Sequence, residues 1–270
     1  MNQRDPHLPI PDVQSAADTR RIAIDRVGIK GIRHPVRVGS QDAVQHSIAT
    51  FSLSVALPHD VKGTHMSRFV EMLENEIAPL CAAAMPGLVT RMLARLGATS
   101  GEISASFPYF IEKTAPVSAV KSLLDYEVTL TAARVDGKTD VTTKIVVPVT
   151  SLCPCSKEIS AYGAHNQRSH LTIEVTAAPS LEINDIIRLA EAQASSELYA
   201  ILKRTDEKFV TERAYDNPKF VEDLIRDLAA ALDREAQVSA YKIEAENFES
   251  IHNHSAFAVI ERSQKENLSK

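Results

Sequence analysis

ATFSLSVALPHDVKGTHMSRFVEMLENEIAPLCAAAMPGLVTRMLARL, residues 49–96, sets one strand beside two consecutive helices. In its first nine residues Ala49, Phe51, Leu53, Val55 and Leu57 are apolar at every second position, with Thr50, Ser52 and Ser54 between them. That is the period of a strand buried on one face, and Pro58 ends it. After the turn-like HDVKGTH, Ser67 can cap a helix in which Phe69, Met72, Leu73, Ile77 and Leu80 recur at three- and four-residue spacing, closed at Pro79. A second helix is expected from Pro86 to Leu96.

Outward from this stretch the order becomes symmetrical. IRHPVRV, residues 32–38, supplies a short strand in front. Alternation returns behind it in Ile103, Ala105, Phe107 and Tyr109, and again in Tyr126, Val128, Leu130 and Ala132, with a loop around Pro116 between them. Val141 to Val149 reads as a further strand joining two halves. The second half then repeats the order: a strand through Leu171, Ile173, Val175 and Ala177, a long helix from Leu181 to Lys203, a helix from Pro218 to Arg234, and strands at Tyr241–Ala245 and around Phe257 and Val259. No residue-level repeat accompanies this repetition of elements. Helices bunched in pairs between antiparallel strands predict an α+β fold with the helices on one face of the sheet. A doubly wound parallel sheet fits less well, and nine glycines hold no G-x-G-x-x-G or P-loop spacing. The division expected is a mobile N-terminal arm over 1–20, a first module over 21–140 and a second over 141–270. One small sheet per module leaves edges to cover, which favours an oligomer.

Composition narrows the function classes. With 44% hydrophobic and 24% charged residues in 270, disordered and collagen-like classes are excluded. Thirty Lys and Arg against thirty-five Asp and Glu leave a net charge of -5, so no global positive field recruits nucleic acid or an anionic membrane. A local basic patch for a phosphorylated small molecule stays open. No apolar run approaches the roughly 20 residues of a bilayer span. MNQRDPHLPIPDVQ has charge and proline where a signal peptide has an apolar core, so a cytoplasmic protein is expected. Three cysteines, two of them at Cys153 and Cys155, make a poor disulfide framework and leave thiols for a metal.

The reactive residues fall in four clusters. In SLCPCSKEISAYGAHNQRSH, residues 151–170, Cys153, Cys155, His165 and His170 offer soft and borderline ligands that suit zinc. The spacing matches no zinc finger or ribbon, which points to an open site that needs a third ligand from elsewhere; a plain turn with two small thiols is the other reading. In KRTDEKFVTERAYDNPKFVED, residues 203–223, Asn217 and Pro218 look like a helix start. Phe220, Val221, Leu224, Ile225, Leu228 and Leu232 then span an arc of about 140°, and Glu222 lies beyond its edge, either at a ligand or simply solvated. Asp206, Glu207, Glu212 and Asp216 are ordinary acids until something selects one. In ESIHNHS, His252 and His254 lie two apart and suit proton transfer or a phosphate contact, or are surface histidines. In KGTHMSRF, Lys62, His65 and Arg68 gather where the first long helix begins, either to receive phosphate or as a charged turn.

LCPCSKEISAYGAHNQRSH, RTDEKFVTERAYDNPKFVED, LPHDVKGTHMSRF and SFPYFIEKTAPVS together resemble the GTP cyclohydrolase IB family, the prokaryotic type of GTP cyclohydrolase I, over nearly the whole chain after about residue 20. The resemblance implies two tandem tunnelling-fold modules per subunit, each with a four-stranded antiparallel sheet and a helix pair, and a homotetramer with active sites at subunit interfaces. It places the metal ligands on Cys153, His165 and Glu207, and the ring-anchoring glutamate on Glu222. A carboxylate there can accept from both N1–H and the 2-amino group of guanine. His252 and His254 are implied as proton-transfer residues, and Lys62, His65 and Arg68 as the grip on the triphosphate. The implied activity converts GTP and water to 7,8-dihydroneopterin triphosphate and formate, with one divalent metal per site activating water for attack at C8. Zinc, manganese and iron all fit such a mixed ligand set. The rivals are another tunnelling-fold enzyme such as a nitrile reductase with a nucleophilic Cys153, an archaeal-type cyclohydrolase that stops at a cyclic phosphate, and a non-catalytic zinc-stabilised binding module.

Overall fold

The alternation of residues 49–57 extends in both directions, because each strand pairs along its length with a neighbour of the same period. The computed structural model describes residue 14 and residues 16–40, 43–76 and 78–263. The first half consists of β1 (Ile24–Ser40), β2 (Ala43–Leu57), α1 (Met66–Glu74), α2 (Met85–Leu96), β3 (Gly101–Thr114) and β4 (Lys121–Val135). The second holds β5 (Lys138–Leu152), α3 (Pro154–Ile159), β6 (Asn166–Ala177), α4 (Ile183–Glu191), β7 (Ser196–Glu197), α5 (Arg204–Asp216), α6 (Val221–Arg234), β8 (Val238–Asn247) and β9 (Ala256–Arg262). All nine strands form one antiparallel sheet in the order β1-β2-β3-β4-β5-β6-β8-β9, with β7 on β5. Four helices, α1, α2, α4 and α6, bury their apolar sides on one face of it, so the fold is α+β as read.

No linker separates the halves. Val135 faces Lys138 across a two-residue turn in which Asp136 (φ 50°) and Gly137 (φ 81°) are both left-handed. Such a turn matches the natural twist of a strand pair, and glycine adopts the conformation without a steric cost. The sheet therefore continues from β4 into β5 unbroken. Core positions follow the predicted period: Phe51 and Leu53 on β2, Ile103 and Phe107 on β3, Val128 and Leu130 on β4, Ile145 and Val147 on β5, Leu171 and Ile173 on β6. Each such side chain contributes roughly 1.5–3 kcal/mol on burial.

Several predicted boundaries move. The first helix is capped at His65, not Ser67, and ends at Glu74, where Asn75 turns its Nδ2 back to the Glu71 carbonyl at 2.5 Å. Ile77 lies outside the described residues. Leu80 belongs to an extended segment beside β1, donating to Arg37 O at 2.7 Å and accepting from Gly39 N at 3.2 Å. The residue before a proline is excluded from helix, which frees this segment to run along the strand. The long helix expected over 181–203 stops at Glu191. Ser195 Oγ accepts from Leu152 N at 3.1 Å, and Ser196 and Glu197 pair with Thr150 and Val149, so β5 claims these residues as an extra strand. Helix α5 then occupies what the sequence offers as a connection. Asn217 closes α5, with Nδ2 donating to Ala194 O at 2.8 Å, and does not open α6. Helix α6 starts at Val221, where Phe220 N donates to Asp223 Oδ2 at 3.2 Å; Phe220 itself is 39% exposed and outside the core.

Of the arm expected over 1–20, residues 1–13 and 15 lie outside the described residues. Ala16 O accepts from Lys62 N at 3.1 Å and Asp18 N donates to Asp60 O at 3.0 Å, so its end is tied to the β2–α1 connection.

Candidate active site

The hydrogen-bonded ladder between β5 and β6 ends at Leu152 opposite Asn166, so the next residue of one strand meets the preceding residue of the other. These are Cys153 and His165, and Cys153 N donates to His165 O at 3.1 Å. Cys153 is half-buried and caps the short α3: its Sγ accepts from Ser156 N at 3.5 Å, and Ser156 Oγ accepts from His165 N at 3.2 Å. The imidazole of His165 is held through Nδ1, which lies 3.1 Å from Gln167 Oε1 and 3.4 Å from Ser250 Oγ. One thiol and one imidazole whose other nitrogen is already engaged suit a borderline divalent cation.

Ser250 belongs to the loop between β8 and β9, so this contact brings ESIHNHS to the same end of the sheet. His252 and His254 on it are exposed, and their rings stack 5.1 Å apart at 14°. Helix α6 arrives from the other side: Lys219 N donates to Leu152 O at 3.0 Å, and Glu222 follows three residues later, exposed in the first turn. A carboxylate at a helix N-terminus sits in a favourable field.

Glu207 stands in the first turn of α5 and is exposed. The far end of α5 is the one that touches the cysteine loop, where Lys157 Nζ donates to Tyr215 O at 2.6 Å and lies 4.3 Å from the Tyr215 ring centroid. Eight residues of helix, about 12 Å, separate Tyr215 from Glu207. Among the described residues no three His, Cys, Asp or Glu side chains stand close enough to hold a metal together, so one chain pairs Cys153 with His165 without adding Glu207.

His170 leaves the cluster that the sequence suggests. Five residues of β6 carry it about 17 Å from His165, where its ring meets Phe248 edge-on at 4.7 Å. Burial lowers its pKa, opposed by Glu246 and aided by Arg168. Cys155 is exposed on α3. Lys62, His65 and Arg68 lie elsewhere: the strands alternate in direction from β2 to β5, so the end of β2 and the start of α1 are at the opposite end of the sheet from Cys153.

Sequence reasoning treats Asp206 as one acid among several, yet it is fully buried and accepts from Val117 N (2.9 Å), Ser118 N (2.8 Å), Ser118 Oγ (2.6 Å) and Lys203 N (2.8 Å). It pins the β3–β4 loop to the turn that bears Glu207. Its place three residues after the helix cap is the only local signal. Gln167 and the buried Lys113 were not legible at all, since both lie in strands whose pattern says only which face they share.

The model for the type I GTP cyclohydrolase folE2 family matches residues 10–258. A GTP cyclohydrolase FolE2 from Thiobacillus denitrificans is 60% identical over 257 residues, 95% of this chain and 96% of its own length. One from a Janthinobacterium species is 59% identical over 262 residues, 97% and 98% respectively. Among solved structures, uricase from Arthrobacter globiformis superposes with a TM-score of 0.53 over 88% of this chain and 93% of its own, at 8% identity. That likeness concerns the fold alone, an antiparallel sheet with helices on one face. On the family match and these two relatives, the chain belongs to the type I GTP cyclohydrolase FolE2 family.

Proposed function

We propose that this chain is a GTP cyclohydrolase I of the prokaryotic IB type, converting GTP and water to 7,8-dihydroneopterin triphosphate and formate, the first reaction of folate and related pterin synthesis. The observation that carries this reading is the meeting of Cys153 and His165 at the end of β5 and β6, beside the helix that bears Glu222. We infer that Cys153, His165 and Glu207 form the ligand set for zinc, with manganese or iron as alternatives. When bound, a divalent cation supplies the Lewis acidity that makes water a nucleophile near neutral pH. Glu222 accepts from N1–H and the 2-amino group of guanine, a pairing that adenine cannot make. His252 and His254 move protons as the imidazole ring of the purine opens and formate leaves.

Lys62, His65 and Arg68 grip the triphosphate from a second subunit, since within one chain they stand at the wrong end of the sheet. The same association brings Glu207 to the cysteine and histidine. The working form on this reading is the homotetramer with interface sites that the family resemblance implies. Three free thiols fit a reducing cytoplasm. Among the described residues no helix is long and apolar enough to cross a membrane.

The test incubates metal-loaded and chelated protein with GTP and assays formate together with pterin fluorescence after oxidation. Metal-dependent release of both products is expected, and Cys153→Ala should abolish it. Neither product from folded protein supplied with zinc and manganese in turn overturns the reading, in favour of a reductase with nucleophilic Cys153 or a zinc-stabilised binding module. Glu222→Gln is expected to weaken GTP binding by about 10- to 100-fold, the loss of a charged hydrogen-bond pair, with metal content unchanged.

A further inference from the structure

A buried polar chain runs from β8 to the imidazole of His165. Asn247 on β8, Ser169 on β6, Ser151 on β5 and Gln167 on β6 are 3%, 0%, 0% and 7% exposed. Buried polar side chains persist where their bonds are made, and here the bonds have a direction. Ser169 Oγ donates to Asn247 Oδ1 at 2.7 Å. With its hydrogen committed, Ser169 can only accept from Ser151 Oγ, 2.8 Å away. Ser151 in turn accepts from Gln167 Nε2 at 2.9 Å, which turns the Gln167 carbonyl oxygen to His165 Nδ1 at 3.1 Å. A carbonyl oxygen has no hydrogen to give, so with the Asn247 and Gln167 amides oriented as they are in this structure it is Nδ1 that carries one, leaving it to donate to Gln167 with Ser250 Oγ 3.4 Å away. In the neutral ring the lone pair then sits on Nε2.

We propose that Asn247, Ser169, Ser151 and Gln167 are positioning residues that hold His165 in its Nδ1–H tautomer and so present Nε2 as a metal-binding nitrogen before a cation arrives. The proposal rests on the reading of His165 as a ligand. The four residues come from three neighbouring strands, so the sheet register brings them into one chain. Ser151 is opposite Gln167 in the β5–β6 ladder and Ser169 opposite Asn247 in the β6–β8 ladder. A slip of either pairing would break the chain of donors.

The experiment records nitrogen-15 spectra of histidine-labelled full-length protein, metal-stripped and zinc-loaded, at about pH 8.5, above the range in which an ordinary imidazole titrates. His165→Ala identifies the signal. The stripped wild type is expected to show Nδ1–H with a bare Nε2, and zinc to shift Nε2 alone. An Nε2–H tautomer in the stripped wild type overturns the proposal. Gln167→Leu is expected to release the tautomer preference and weaken zinc binding, measured by chelator competition, by about 10- to 100-fold. Gln167→Glu, which keeps an acceptor, should restore both. Unchanged tautomer and affinity in a folded Gln167→Leu overturn the proposal, since a merely structural chain would lower only the melting temperature. Undiminished zinc affinity in His165→Ala refutes the ligand reading, and the metal-binding half of the proposal with it. The tautomer result then decides the positioning half by itself.

Discussion

At the scale of single residues, Asp206 has the least freedom of any acid near the site. Burial works to raise its pKa, but bonds from Ser118, Lys203 and Val117 outweigh it and hold the carboxyl well below the usual carboxylate range. The folded state thus takes up the proton less readily than the unfolded chain. Its stabilising effect is complete above the unfolded carboxyl's range, about pH 4, and is lost as pH falls through the folded value. Asp206→Asn replaces one acceptor oxygen with a donor facing donors. It should lower the melting temperature at neutral pH by several degrees, and the gap from wild type should narrow as pH falls below about 4. Melts across that range check this; a gap independent of pH would mean that the charge is not what Asp206 contributes. Because Asp206 precedes Glu207, the same variant should also reduce metal occupancy.

Between elements, the strongest polar joint is the one around Lys113. Its Nζ, on β3, donates to Glu191 of α4 at 2.7 Å and to Glu197 of β7 at close range, while Tyr126 of β4 donates to Glu191 at 2.7 Å and Tyr199 to Glu197 at 2.8 Å. Burial first, and then the Glu191 carboxylate, push the Tyr126 hydroxyl far above its ordinary pKa, so it remains a donor. This joint explains why α4 gives way to β7: two carboxylates six residues apart converge on one cation. Removing the lysine leaves the buried Glu191 carboxylate without its cation, while the half-buried Glu197 keeps Arg213 at 3.3 Å. Lys113→Met is expected to cost about 3–5 kcal/mol in denaturant unfolding. Lys121→Met, whose partner Glu112 is exposed, should leave the unfolding curve nearly unchanged. Equal costs would show that burial does not set the strength of these pairs.

For the whole molecule, the decisive feature is that the sheet sends Cys153, His165, Glu222 and the His252–His254 loop to one end and Lys62, His65 and Arg68 to the other. If these groups serve one site, two subunits must build it. Glu222→Gln and Arg68→Ala proteins, each impaired alone at GTP concentrations that saturate the wild type, should regain turnover when unfolded and refolded together, with about a quarter of sites carrying both native residues. Absence of recovery in mixed oligomers, verified by tagged subunits, would remove the basic trio from the site.

The division between what was legible and what was not follows from the range of the forces. Residues 49–57 and 171–177 announced their strands because burial on one face imposes a period of two on neighbouring residues. The family resemblance carried by residues 151–170 and 204–223 implied roles for Cys153, His165, Glu207 and Glu222, which spacing alone left open. The long helix read over 181–203 failed for the opposite reason: its local pattern is helical, but Ser195, Ser196 and Glu197 gain more by bonding to β5 and Lys113, partners more than forty residues away. The β-register that aligns Asn247, Ser169, Ser151 and Gln167 behind His165, and the placing of Glu207 and Arg68 away from Cys153, depend likewise on pairing between distant strands. The sequence by itself determined the alternating strands and the amphipathic helices that cover them, and which reactive side chains the chain carries. Only the tertiary structure decided which of them meet, because that is settled by hydrogen bonds and burial across the sheet, with partners that no local pattern contains.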